Sequence, residues 1–467
     1  MVNTMSDAPL QIVILAAGQG KRMRSSLPKV LHPVGGRPLI GHVLTLAEQL
    51  LADAGNAPRP VLVHGHRGEL LQAALSAADC RWSHQTSQRG TGDALASALP
   101  HLTPAGRVLV LCGDVPLLRV ETARALLAAP ADAVVILTAI LEDPSGYGRI
   151  LRDAAGTVRA IVEQRDASPA QRAVQEVNTG TLLIPAQHLA GWLGRLKADN
   201  AQGELYLTDI VAMAVADGVP VLGVPSASAT DIMGINDREQ LARCEREFQR
   251  RQVERLLIEG VTVRDPARLD VRGTLDVGRD VEIDINVILE GAVVLADGVR
   301  VGAHCILRDA VVEAGARIEP FSLIDGARVG PGAVVGPYAR LRPGTELAAD
   351  VHIGNFVEVK NSRLATGAKA NHLSYVGDAD VGARVNIGAG TITCNYDGAD
   401  KHRTVIGDDA FIGSNSSLVA PVRIGEGATI GAGSVVSREA PAGELTVTRA
   451  PQKTLRGWQR PQKKPAQ

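Results

Sequence analysis

Between about Ile283 and Val435 the chain repeats itself every six residues. Each unit opens on an aliphatic residue, followed usually by a small or acidic one, two variable positions, a small or β-branched residue and one more. Units run without a break from Ile283, Leu289, Leu295 and Val301, again from Val329, Val335 and Leu341, and again from Ile406, Ile412, Leu418, Ile424 and Ile430. A helix turns once in about 3.6 residues and cannot use a period of six. A solenoid can: each unit supplies a short strand and a turn, and stacked coils bury the opening residue in a column. The period leaves the handedness of the coil open.

The rest of the composition fits such a core. Of 467 residues, 45% are hydrophobic but only 3% aromatic, as stacked Val, Ile, Leu and Ala would give. With 49 basic and 50 acidic residues the net charge is −1, which argues against a nucleic-acid or membrane-surface role. Cys80, Cys112, Cys244, Cys305 and Cys394 are scattered, without a CxxC pair or metal-ligand spacing, and read as reduced thiols of a cytoplasmic protein. Met1 to Leu10 lacks the basic-then-apolar pattern of a signal peptide, and no apolar run is long enough to span a bilayer.

The first half alternates aliphatic runs with helical patterns. Gln11–Leu15 and Pro60–His64 read as strands, with Pro38–Leu51 a helix between them; Arg107–Cys112 reads as the third strand and Ala133–Thr138 as the fourth. Alternation of this kind predicts a parallel-type sheet covered by helices, with ligands at the carboxyl ends of the strands. Leu241, Cys244, Phe248 and Leu256 recur near helical spacing, so Asn236–Gly260 reads as an amphipathic joining helix ended by Gly260. The expected organisation is an α/β domain over 1–235, a linker helix over 236–260, the solenoid over 261–437 and a tail over 438–467. That tail carries Lys453, Arg456, Arg460, Lys463 and Lys464, and its last ten residues read as solvated and disordered.

The first strand runs straight into Leu15-Ala16-Ala17-Gly18-Gln19-Gly20-Lys21-Arg22-Met23. Glycines there let backbone N–H groups approach a phosphate, and Lys21, Arg22 and Lys29 add positive charge. The spacing is neither a Walker A loop nor GxGxxG, because Met23 stands where the last glycine would be. Gly113-Asp114-Val115-Pro116 follows the third strand, where a carboxylate is placed to hold a divalent metal on phosphates or, equally, to cap a helix. Gln85, Gly90-Thr91-Gly92, Gly146-Tyr147-Gly148-Arg149, Glu163 and Asn178-Thr179-Gly180 each read singly as turns or surface polar groups.

Inside the solenoid the pattern breaks where polar residues gather: Leu341–Gly344, Gly354–Lys360, Asn371–Tyr375 and Asn386–Gly398. A purely structural solenoid has no need of His, Lys, Arg, Tyr and Asn in neighbouring coils. His372 is the natural general base of that cluster, since imidazole titrates near neutral pH.

Together the glycine string, Gly-Asp-Val-Pro, Gly-Tyr-Gly-Arg-Ile and the hexapeptide solenoid resemble the bacterial bifunctional N-acetylglucosamine-1-phosphate uridyltransferase/glucosamine-1-phosphate N-acetyltransferase family. The resemblance covers the chain except a few N-terminal residues and the last ten or so. It implies an α/β nucleotidyltransferase (Rossmann-like) domain followed by a left-handed parallel β-helix of hexapeptide repeats, assembled as a homotrimer. By that resemblance Leu15, Ala16, Ala17, Gly18, Lys29, Gln85, Gly90, Thr91, Cys112, Gly113, Asp114, Gly148, Glu163, Asn178 and Asn236 would contact UTP or the UDP-sugar, Cys112 through its backbone alone. Asp114 and Asn236 would hold Mg2+. Arg342, Lys360, Tyr375 and Asn386 would bind the sugar phosphate of the acetyltransferase site, with His372 as base and Glu358 orienting its neighbours. Ala389, Asn395, Tyr396, Ser414, Ala432 and Arg449 would contact acetyl-CoA, Arg449 from a tail reaching towards a neighbouring subunit's cofactor.

Two other readings remain at this point. A single-activity sugar-nucleotide pyrophosphorylase would carry its solenoid only for regulation or assembly, and the Asn371–Tyr375 and Asn395-Tyr396 groups speak against it. A non-enzymatic interaction scaffold predicts decayed glycine and Asp114 motifs, and both are intact.

Overall fold

The computed structural model describes residues 9–55 and 59–461. The expected tail's Lys463 and Lys464 therefore lie outside the described residues. The chain forms two compact units, Met1–Gln249 and Arg250–Gln467.

In the first unit the described residues build a nine-stranded mixed sheet. From one edge its strands are Val221–Pro225, Val134–Ile140, Glu176–Pro185, Arg107–Cys112, Leu10–Leu15, Val61–His64 and Arg81–His84. Arg149–Arg152 pairs with Glu176–Pro185 and with Val158–Val162. Leu10–Leu15 is parallel to both neighbours, and Leu15 lies opposite Cys112. From Leu10–Leu15 the chain first adds strands on one side and then crosses to the other. The loops after Leu15 and Cys112 therefore leave the same edge in opposite directions, which opens a crevice there.

Both faces of the sheet are covered, which is why its central strands read as unbroken apolar runs. Ile12 and Ile14 join the core that takes Ile40, Val43, Leu44, Ala47 and Leu50 from the helix Leu39–Asp53. Val13 joins the opposite core, with Leu95 and Ala98 of the helix Thr91–Ala98.

The sheet differs from the parallel one expected. Arg81–His84 precedes Arg107–Cys112, so the latter is not the third strand. Glu176–Pro185 is antiparallel to both its neighbours. Its polar residues Asn178, Thr179 and Thr181, the positive φ of 83° at Gly180 and a register shift between Asn178 and Leu182 break the apolar run that would have marked it.

The second unit is a stack of coils. Strand partners recur 17 or 18 residues apart, as Arg300 opposite Arg317, Arg317 opposite Val334 and Val334 opposite His352. Three six-residue units thus complete one coil. One column runs through Ile283, Val301, Ile318, Val335, Ile353, Ala370, Ile387, Ile412 and Ile430, all buried. Removing one large aliphatic side chain from water contributes about 1.5–3 kcal/mol, repeated at every level of the column except that of Ala370. One step is wider, Asn386 opposite Phe411, because a loop leaves the coil after Cys394 and returns at Thr404.

The expected end of the solenoid at 437 is too early. Leu445–Thr446 pairs with Thr429–Ile430, and Ala440 bridges Ile424. Leu445 is exposed, so the hexapeptide pattern fades before the ladder does. The helix Arg238–Ile258 gives Cys244, Leu241 and Phe248 to a core of the first unit, and Val253 and Leu256 to the core of the second.

Candidate active sites

The crevice after Leu15 and Cys112 has a volume of about 560 Å3. Ten of the expected nucleotide-site residues line it: Leu15, Ala16, Ala17, Gly18, Lys29, Gln85, Gly90, Thr91, Cys112 and Asp114. Gly20 has φ 59°, and a Cβ there would come within 2.7 Å of the Cβ of Lys29. Glycine therefore lets the loop lie directly on the lysine. No atom lies within 4 Å of where a Cβ of Gly18 would sit, so the backbone is open to close approach at that point. Gln85 is fixed by donating to the Gly90 carbonyl at 3.1 Å and to Asp93 at 2.8 Å.

Asn236 is outside the lining but joins it through one ammonium group. Lys29 Nζ donates to Asp114 Oδ2 and, at 3.2 Å, to Asn236 Oδ1. Ile235 N–H donates to the Asp114 carbonyl at 3.0 Å, which ties the two segments together through the backbone. One carboxylate and one amide oxygen within reach of a single cation suit Mg2+, which uses few protein oxygens and completes its shell with waters and phosphates. Among the described residues no group of three or more His, Cys, Asp or Glu is placed to hold a metal ion.

Gly148, Glu163 and Asn178 form a neighbouring cluster outside that lining. The Gly148 carbonyl accepts from Asn178 N–H at 2.8 Å, and a Cβ on Gly148 would lie 3.3 Å from the Glu163 carboxylate. Burial raises the pKa of Glu163 above the usual carboxylate range, although Thr208 donates to it at 3.1 Å. Arg149 is buried and donates to the carbonyls of Tyr147 and Arg172 and to Gln164, which anchors this corner. Gly113 donates to the Leu15 carbonyl at 2.9 Å and so holds the two crevice strands in register. Burial, with Asp114 nearby, pushes the Cys112 thiol up to about 12. The sulfur packs on the Gly180 carbonyl at 3.6 Å.

In the solenoid, Asn355 and His372 lie opposite each other on adjacent coils. His372 Nδ1 faces Asn355 Oδ1 at 2.9 Å. An acceptor there assigns the ring proton to Nδ1 and leaves exposed Nε2 as the basic nitrogen. Continuing the register, Ala389, Ser414 and Ala432 follow above His372, since Lys369 pairs with Asn386, Asn386 with Phe411 and Phe411 with Thr429. These side chains are small, so the column above His372 is a groove. At its top the Arg449 guanidinium donates to the Ala432 carbonyl at 2.6 Å.

The adjoining ladder carries Arg342, Glu358, Lys360 and Tyr375. Arg342 donates to Glu358 at 2.9 Å, and Glu358 pairs in register with Tyr375. Tyr375 lies across Gly377, where a Cβ would come within 2.3 Å of the phenol oxygen. Asn395 donates to Tyr375 Oη at 3.4 Å and to Asp378, which also accepts from Asn361. Burial alone would raise Asp378, but those two amides and the charges of Lys360 and Lys401 outweigh it and hold the carboxylate below its ordinary range.

Lys401 was not expected. It sits in the loop that leaves the coil, where it bridges to Tyr396, and the adjacent Lys360 lowers its pKa. Nothing periodic marks it; the only clue was that the six-residue pattern lapses there. Gln88 and Glu204, which line the crevice, belong to no motif or period in the sequence either.

Residues 12–201 match the MobA-like NTP transferase domain, and residues 403–438 match the bacterial transferase hexapeptide repeats. A bifunctional protein GlmU from Azoarcus sp. (strain BH72) is 58% identical over 97% of this chain and 100% of that protein. Those from Aromatoleum aromaticum (strain DSM 19018 / LMG 30748 / EbN1) and Ralstonia pickettii (strain 12J) are 56% and 57% identical over 98% and 97% of this chain, and 100% and 99% of theirs. The chain belongs to the GlmU family. It is a bifunctional transferase, with a nucleotidyltransferase unit and a left-handed hexapeptide β-helix. Its two activities are uridyl transfer and N-acetylation in UDP-N-acetylglucosamine synthesis, and the single-activity and scaffold readings fall. The GlmU substrates are small molecules: a nucleotide, an acetyl donor and sugar phosphates. Among the described residues no helix is long and apolar enough to cross a membrane.

Proposed function

We propose that each reaction is performed by the residue set described for its unit. Uridyl transfer takes place at the crevice. A phosphate oxygen of N-acetylglucosamine 1-phosphate attacks the α-phosphorus of UTP; that P–O bond forms as the bond to the β-phosphate breaks, and pyrophosphate leaves. The backbone from Leu15 to Gly18 follows the phosphates, with Lys29 and Lys21 supplying positive charge. Gln85, Gly90 and Thr91 bound the nucleotide, with Cys112 and Gly113 at the strand end. Gly148, Glu163 and Asn178 hold the sugar. Asp114 and Asn236 would hold Mg2+, which offsets negative charge on the phosphates. The observation that carries this reading is the meeting of Lys29, Asp114 and Asn236, distant in sequence, at one ammonium.

Acetyl transfer takes place beside His372. Its Nε2 takes the proton as the glucosamine 1-phosphate amine attacks the thioester carbonyl; the C–N bond forms, the C–S bond breaks and the thiolate of CoA leaves. Arg342, Lys360 and Lys401 hold the phosphate, Tyr375 and Asn386 the sugar, and Glu358 orients Arg342. Asn395 and Tyr396 flank the acyl group. The groove over Ala389, Ser414 and Ala432 carries the pantetheine arm towards Arg449.

The working assembly in this reading is a homotrimer in the cytoplasm. Solvent-exposed apolar rings on the second unit and five free cysteines support it. Nucleic acid and membranes are not partners, in keeping with the balanced charge.

A coupled assay tests the residue assignments, with thiol and pyrophosphate release followed separately in the presence of glucosamine 1-phosphate, acetyl-CoA, UTP and Mg2+. His372→Ala lowers thiol release by about a hundred- to ten-thousand-fold. It leaves pyrophosphate release from ready-made N-acetylglucosamine 1-phosphate near wild type. Asp114→Asn does the reverse. A folded His372→Ala protein that loses both activities, or neither, overturns the assignment.

A further inference from the structure

We infer that Lys29 is the resident cation of the metal site: its ammonium holds Asp114 and Asn236 in place, and a divalent ion enters by displacing it. The inference rests on the reading that those two residues are the metal ligands. Lys29 Nζ donates to Asp114 Oδ2 and to Asn236 Oδ1 at 3.2 Å, partners 85 and 207 residues away in sequence. The pair is sheltered, with side-chain exposures of 13% for Lys29 and 22% for Asp114. The lysine is also held from behind, because its Cβ packs under Gly20, where an added Cβ would come within 2.7 Å.

An ammonium and a divalent ion cannot share the same two oxygens at contact, because their charges repel strongly in a partly buried crevice. The oxygens serve one cation or the other. Until the metal arrives, the lysine neutralises the carboxylate and fixes both oxygens, which makes it a positioning residue. The same side chain lines the crevice proposed for UTP. A triphosphate there offers the displaced ammonium new oxygens. Metal binding to the free protein is therefore weak, and metal and nucleotide enter together.

Mn2+ serves as the probe, with free ion counted by electron paramagnetic resonance against the full-length protein without nucleotide. Lys29→Met binds Mn2+ on the order of tenfold or more tighter than wild type. Lys29→Arg, which keeps the charge, binds as weakly as wild type. The gain disappears in Lys29→Met/Asp114→Asn. Circular dichroism and the melting temperature check the fold, and Lys29→Gln replaces Lys29→Met if the latter fails that check. A folded neutral variant that binds no tighter than wild type overturns the inference; if Asp114→Asn still weakens Mn2+ binding, the metal-ligand reading survives. A gain that persists without the Asp114 charge overturns both.

Discussion

Asn355 touches no reacting atom in the proposed acetyl transfer, yet the chemistry depends on it. Its oxygen accepts from His372 Nδ1 at 2.9 Å, which leaves Nε2 to take a proton. Asn355→Ala removes that acceptor and lets the ring turn and change tautomer. Thiol release falls roughly tenfold or more, part of what a general base supplies. The KM for glucosamine 1-phosphate stays near wild type, and Asn355→Asp, which keeps an acceptor, restores most of the rate. Equal kcat for Asn355→Ala and wild type would show that the tautomer is set elsewhere. His372, Asp114 and Lys29 were legible as candidates because each stands in, or a few residues after, a string of glycine or polar residues. Lys401, Gln88 and Glu204 were not, because only the folding of their loops brings them to a site.

The aliphatic openers made the solenoid legible: every one from Ile283 to Ile430 named above is buried. The antiparallel strand Glu176–Pro185 was illegible, since Asn178, Thr179 and the turn at Gly180 break its apolar run. The regular column also gives a stability test. Ile353 is fully buried between Val335 and Ala370 in adjacent coils. Ile353→Ala removes three carbons from a column with little freedom to collapse, at a cost of about 2–5 kcal/mol. Because each coil rests mainly on its neighbours, the loss is felt first by the coils carrying Asn355 and His372. Thermal inactivation of thiol release therefore moves to lower temperature, while that of pyrophosphate release does not. A parallel shift of both activities would mean that the two units melt as one.

The second unit presents a feature that a monomer in water has little reason to keep. At one corner of successive coils His304, Phe321, Tyr338 and Phe356 stack with ring centroids 4.8, 4.9 and 5.3 Å apart, and Leu373 follows, next to His372. Phe321, Tyr338, Phe356 and Leu373 are 47%, 48%, 56% and 63% exposed. All five have positive φ, a conformation that favours Asn, Asp or Gly, so bulky apolar groups stand there against local preference. An exposed apolar row of this length marks an interaction surface, and copies of the same chain in closed symmetry are the usual occupant. If the proposed trimer packs on this ladder, Phe321→Asp/Phe356→Asp suits the backbone at both positions while placing charge in the contact. Light scattering then finds monomer at micromolar concentration. Thiol release falls by at least about tenfold, because the ladder runs into the coil of His372 and positioning losses near a site are costly. Pyrophosphate release is unchanged. A double variant that stays trimeric removes the ladder from the interface. A monomer with full thiol release would mean that one chain completes the acetyltransferase site alone, with Arg449 serving the groove of its own chain.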